Sequence, residues 1–247
     1  MKVEPYAPVN VPTPIGDGIW LVDGPVIGFR YLGLELPFPT RMTVVRLADG
    51  TLWVHSPIAL EPALGRALRG LGPVRQLIAP NQLHYWWLGD WRRAYPDAMS
   101  FGPPGNWRRA LRHGVEIDRM LDERAEAAWA GEIDQLIVAG RLGSEAVFFH
   151  RPSRTLILAD LIENFEPARI ASGVMRGLVR LAGCAEPDGG MPRDMRLGFL
   201  GRRKALRRAV RHMIEWRPDR IVLAHGRWYR TGGVAELRRA FRWLGPL

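Results

Sequence analysis

QLIAPNQLHYWWLGDW (76–91) carries an apolar strand, Arg75–Ala79, through a proline and two amides to His84 within a short turn. The pattern recurs twice. LILADLI (156–162) ends the strand Thr155–Ala159 on Asp160, and IVLAHG (221–226) ends the strand Arg220–Ala224 on His225. Polar side chains at the ends of such strands are where α/β folds bind ligands. Two histidines and a carboxylate can converge there on one transition-metal ion.

Around these runs the chain alternates elements of two periods. Strand-like runs lie at Ile19–Val22, Met42–Leu47 and Thr51–His55; the last two are joined by Ala48-Asp49-Gly50, a hairpin signal. Further strands are expected at Ala98–Phe101, Gln135–Val138 and Ala146–Phe149, and His150–Arg154 turns the chain into Thr155–Ala159. Helices are expected at Pro62–Leu71, Leu83–Ala94, 116–134, 167–183, Arg202–Trp216 and Val234–Trp243, with a helical turn at Asn106–Arg112. Residues 1–16 read as an extended arm. Residues 23–40, with Gly24, Pro25, Gly28, Gly33, Pro37 and Pro39, read as loop. Meandering strands followed by strand–helix units, twice over, predict a layered α/β domain spanning 1–247.

The composition, 47% hydrophobic and 24% charged over 247 residues, excludes bulk disorder and a disulfide-stapled miniprotein. The one cysteine, Cys184, cannot form an internal disulfide and reads as inert; it excludes a multi-cysteine zinc site and fits a reducing, cytoplasmic setting. MKVEPYAPVNVPTP at the start lacks the apolar core of a secretory signal, and no apolar run is long enough to span a membrane. Residues 1–164 carry 17 basic and 18 acidic side chains, and residues 165–247 carry 18 and 7, so the net charge of +10 comes entirely from the last third. Arg203, Arg207 and Arg211 recur every fourth residue and predict an exposed row. Such a row suits an anionic surface or an ordinary solvated face. No DNA- or RNA-binding motif accompanies it.

LWVHSPI (52–58), together with the three runs above, resembles the metallo-β-lactamase superfamily from about Gly18 to Leu244. Within it the chain is most similar to an uncharacterised family, a domain of unknown function. The resemblance implies an αββα sandwich with a helical insertion near 165–215, where superfamily members often shape substrate choice. It also implies a depleted ligand set. Setting the glycine of the histidine-rich motif on Gly89 puts Gln82, Trp86 and Trp87 at ligand places, and Gly143-Ser144 puts Gly140 at another. Only His84, Asp160 and His225 keep side chains that bind metal. A second metal at bridging distance is therefore not expected, and one Zn or Fe ion is the most the set can hold. The implied activity is that of a metal-dependent hydrolase in which Asp160 and His84 are catalytic, water on the metal attacks, and Asp160 is both ligand and proton acceptor.

Three readings of His84, Asp160 and His225 stay open: a mononuclear two-histidine-one-carboxylate centre, a metal-free acid–base cluster, and a satisfied structural remnant. The alternative to an enzyme is a non-catalytic descendant that binds a small molecule or a partner in the same pocket. All active readings require the polar atoms of the three side chains to lie within about 6 Å. Asn81, Gln82, Glu163, Asn164 and His55 are candidate neighbours. Trp86, Trp87 and Trp91 offer either core packing or an aromatic wall.

Overall fold

Strict alternation along two neighbouring strands builds the centre of the molecule. Leu52 and Val54 face one way and Trp53 and His55 the other, and all four are buried. A strand buried on both faces must lie between two layers, and the computed structural model, which describes residues 3–31, 33–105 and 110–247, supplies both. One sheet has seven strands in sequence order: β1 (Thr13–Gly16), β2 (Ile19–Tyr31), β3 (Leu34–Arg46), β4 (Leu52–His55), β5 (Val74–Ile78), β6 (Met99–Gly102) and β7 (Arg119–Met120). It is antiparallel up to β4 and parallel beyond. The other, in the order β11-β10-β9-β8, comprises β8 (Ile133–Ala139), β9 (Ser144–His150), β10 (Thr155–Ile157) and β11 (Arg220–Val222).

Helices cover the outer faces. Leu64 and Leu68 of α1 (Pro62–Leu71) and Leu88 and Trp91 of α2 (Leu88–Ala94) pack on Met42, Val44 and Val54 of the first sheet. Leu206, Val210 and Met213 of α5 (Arg203–Glu215) and Leu237 of α6 (Gly233–Ala240) pack on Val147, Leu156 and Ile221 of the second. Between the sheets Trp53, Phe101, Trp129 and Phe148 interlock edge to face. The architecture is the expected αββα sandwich. Among the described residues, no helix is long and apolar enough to cross a membrane.

Several local expectations are corrected. Residues 23–40 are not a loop: they are the distal halves of β2 and β3, paired from Val26↔Pro39 to Tyr31↔Leu34. There β3 has β2 on one side only, and an open edge tolerates the missing amides of Pro37 and Pro39. The arm 1–16 is in part strand, since β1 joins the sheet. Residues 116–134 form no helix; Asp118 bonds the Ser100 amide and hydroxyl, and Asp122 bonds the Arg124 amide, so these acids hold turns instead. The helix expected at Leu83–Ala94 begins only at Leu88, so Trp91 is buried on α2 while Trp86 lies in the preceding turn, half exposed. Of the helical turn at Asn106–Arg112, residues 106–109 lie outside those described.

The stretch 167–183 divides into a single 3₁₀ turn, Pro167–Arg169, and α3 (Gly173–Ala182), capped by the Ser172 hydroxyl and by Gly183 in the left-handed region at φ 78°. α4 (Arg193–Leu197) follows. The arginine row of α5 is exposed at Arg203 and Arg211, as expected, and it is also tied to the C-terminal segment. Arg203, Arg207 and Arg211 donate to the carbonyls of Trp243 and Pro246, and Arg207 is partly buried. Their charge clasps the C-terminal segment to α5.

Candidate metal centre

His84, Asp160 and His225 arrive from three connections on one side of the two sheets. Asn81, just past β5, accepts the amides of Leu83 (2.8 Å) and His84 (3.2 Å) on its Oδ1, an Asx-type turn that aims His84. Its Nδ2 donates to Asp160 Oδ2 at 2.7 Å. One side chain therefore orients both members of the pair. The His84 ring is fixed from behind, its Nδ1 lying 2.6 Å from Ser56 Oγ.

The turn carrying Asp160 is held by a carboxylate missed in the sequence. Glu145 on β9 is fully buried and accepts the amides of Ala159 and Asp160 at 2.9 Å and of Leu161 at 3.4 Å. Its only sequence signal is a lone acid in an otherwise apolar strand, SEAVFFH. His225 depends on the long hairpin. Its Nδ1–H donates to the Pro39 carbonyl (2.7 Å), and Phe38 packs edge-on against the ring. Arg41, paired with Asp23, donates to the carbonyls of Leu223 (2.9 Å) and Gly226 (2.6 Å), bracketing His225. Gly226 is at φ 84°, and a Cβ there would meet the Asn164 carbonyl at 2.2 Å, so only glycine fits.

The three side chains converge. Nε2 of His84 lies 3.1 Å and Nε2 of His225 3.3 Å from the same oxygen, Asp160 Oδ1, and one ligand atom from each residue falls within 4.8 Å of the others. Among the described residues this is the group of three or more such side chains able to hold a metal ion. Around a tetrahedral ion with bonds of about 2.0–2.1 Å, donor atoms stand about 3.3 Å apart, close to the two distances to Asp160 Oδ1. The Nδ1 contacts to Pro39 and Ser56 leave both Nε2 atoms for the ion, as outer partners of metal-bound histidines do. The donor set suits Zn or Fe.

Burial pushes the Asp160 carboxyl up, but the two imidazoles outweigh it and hold it well below the usual carboxylate range. Burial pushes His225 down, and the bond to Asp160 more than reverses this, so its pKa is raised. Glu145 is pushed up to about 7 by burial and by the charge of Asp160. Glu163, also buried on the cavity wall, is pushed up to about 8 by burial. Cys184 beside it is raised by burial, in keeping with an inert thiol.

The other candidates fall outside the cluster. Gln82 donates to the Leu142 carbonyl (2.8 Å), the Gly140 amide donates to the Gly143 carbonyl, Trp87 packs toward α2, and Trp86 meets Phe29. Asn164 donates to the Arg227 carbonyl. His55 is buried between the sheets, stacked on Trp53, with Nε2 lacking a partner. Burial, with His84 nearby, drives its pKa down to about 3 from 6.5. The unfolded chain therefore binds a proton that the native ring refuses, and His55 costs stability as pH falls from 6.5 toward 3. His55→Phe keeps the stacking and removes this cost. Thermal melts across that window should show the variant gaining on the parent as pH falls; parallel curves would refute the assignment.

A family model described as a domain of unknown function, DUF4336, matches residues 17–173. No curated protein matches the chain. Solved structures do, over nearly their whole length. A metallo-beta-lactamase from Pontibacter korlensis is 11% identical, with 96% of this chain and 99% of that one covered and a TM-score of 0.60. One from Hirschia baltica is 13% identical, with 100% of both covered and a TM-score of 0.61. FIM-1 from Pseudomonas aeruginosa, in its mono-zinc form, is 14% identical, with 100% and 98% covered and a TM-score of 0.58. At these identities the likeness shows the fold.

Proposed function

We propose, from the premise that the chain belongs to the DUF4336 family and has the metallo-β-lactamase-like fold, that it is a hydrolase with one Zn or Fe ion held by His84, Asp160 and His225. One observation carries the reading: two imidazole Nε2 atoms face a single buried carboxylate oxygen while each Nδ1 is occupied elsewhere. When bound, such an ion supplies Lewis acidity and activates water near neutral pH. The chain's own groups do the rest. Asp160, kept ionised by its neighbours and oriented at Oδ2 by Asn81, accepts the proton of the attacking water. His84 and His225 would hold the ion through Nε2, each ring fixed by its Nδ1 contact, and the cavity beside them has a largely apolar lining. The whole chain acts as one domain, with 165–215 as an insertion beside the cavity.

A metal-free binding protein is the second reading. Separations of 3.1 and 3.3 Å also serve hydrogen bonds between Asp160 and the two rings, so the cluster is satisfied without an ion.

Elemental analysis after chelator stripping and dialysis against zinc or iron(II) decides. One equivalent per chain, with ester hydrolysis in loaded and not in stripped protein, is the expected result. Two equivalents would overturn the mononuclear centre, and none would leave the binding protein.

A further inference from the structure

The triad lines a cavity of about 650 Å³. A polar cluster surrounds the triad on the lining: Asn81 and Glu145 are hydrogen-bonded to Asp160 or its turn, and Glu163 lines the cavity too. Most of the remaining lining is apolar, and two parts of it have a regular origin. On the hairpin, Ile27 pairs with Phe38 and Phe29 with Leu36. Residues two apart share a face, so these four side chains form one cross-strand patch, and all four line the cavity, half-buried. Met175, Leu178, Val179 and Ala182 of α3 also line it, at the three- and four-residue spacing of a single helical stripe, and Met175, Val179 and Ala182 share a packed cluster with Leu36 and Phe38. Arg41, on the same lining, has its guanidinium engaged by Asp23 and two carbonyls. Arg30 and Asp194 are exposed.

A largely apolar lining that carries one polar cluster describes a cavity for a ligand with a hydrophobic tail and a polar head. We propose that the protein takes amphipathic small molecules of the monoacyl class, the ester or other acyl head lying at His84, Asp160 and His225 and a single chain lying along the apolar lining that the hairpin patch and the α3 stripe provide. The proposal names the substrate class of the centre described above and rests on that reading for the role of the head. The cavity itself is independent of the metal.

The test is calorimetric titration of stripped and zinc-loaded protein with butanoyl, hexanoyl, octanoyl and decanoyl monoglycerides, each below its micellar concentration. Burying a methylene strengthens binding by about fourfold, so affinity should rise by about 200-fold from hexanoyl to decanoyl. Phe29→Ala on the hairpin patch and Leu178→Glu on the α3 stripe should each weaken decanoyl binding by about tenfold and leave butanoyl binding unchanged. Leu178 is 44% exposed, so its replacement should fold, and thermal melts of both variants check this. Affinity independent of chain length in both forms overturns the acyl site, as does tighter binding of a naphthoyl glyceride than of the decanoyl one. Length-ranked binding by a chain that takes up no metal supports the acyl site and refutes only the hydrolase.

Discussion

Asp160→Asn is expected to weaken zinc binding by more than about a hundredfold, a larger loss than outer-shell substitutions produce. Asp160 is the one anionic donor of the three, and asparagine keeps its shape while removing its charge. Asn81 Nδ2, which donates to Oδ2 at 2.7 Å, can still meet an amide oxygen, so the turn survives and the loss is one of ligation. Competition against a chromophoric chelator measures it; unchanged affinity would remove Asp160 from the metal set. An independent signature needs no metal. The raised pKa of His225 depends on the Asp160 carboxylate acting against burial. In the variant the largest groups opposing burial are gone and only Glu163 and the Pro39 carbonyl still favour the charged ring, so the ring, followed by its NMR shifts with pH, should titrate lower than in the parent.

Glu145→Leu should destabilise the protein by about 3–5 kcal/mol, because it leaves the amides of Ala159, Asp160 and Leu161 buried without an acceptor. Glu145→Gln keeps one acceptor oxygen and resembles the protonated acid, the form favoured below the raised pKa of about 7. Its cost should be smaller, about 1–2 kcal/mol. Urea unfolding of the two variants separates an acceptor role from a charge role. Equal losses would show that the negative charge is what matters. The stability linked to Glu145 itself is fully present below pH 4.5 and is lost as pH rises through about 7, since the native carboxyl holds its proton over that interval and the unfolded one does not.

The contrast between Asp160 and Glu145 explains what could be read from the chain. His84, Asp160 and His225 are legible because each interrupts or ends an apolar run, and the interruption is local in sequence. Glu145 serves backbone amides, which have no sequence identity, across 14 to 16 residues. The layered fold follows from the periods of 2 and 3.6, which survive in β4, α1 and α5. The hairpin was hidden because glycine and proline lower strand propensity, and what overrides them here is pairing along an open ribbon, a tertiary fact. The arginine row was legible only in part, for a related reason: Arg203 and Arg211 are exposed as their spacing predicts, while Arg207 is half-buried. Spacing predicts which face the guanidiniums share, but not that the carbonyls of Trp243 and Pro246 lie beneath it.

The Pro39 carbonyl joins two parts of the molecule that are otherwise separate. It receives the Nδ1–H of His225, and it is followed back along β3 by Phe38 and Leu36 of the cavity wall. Anything that shifts this ribbon also turns an imidazole at the centre. If wall and centre are filled as proposed, the bond from His225 to Pro39 gives a route by which the two occupancies would be linked, although the cavity needs no ion to form. If a tail that orders the hairpin raises the affinity for the ion by some factor, the ion must raise the affinity for that tail by the same factor.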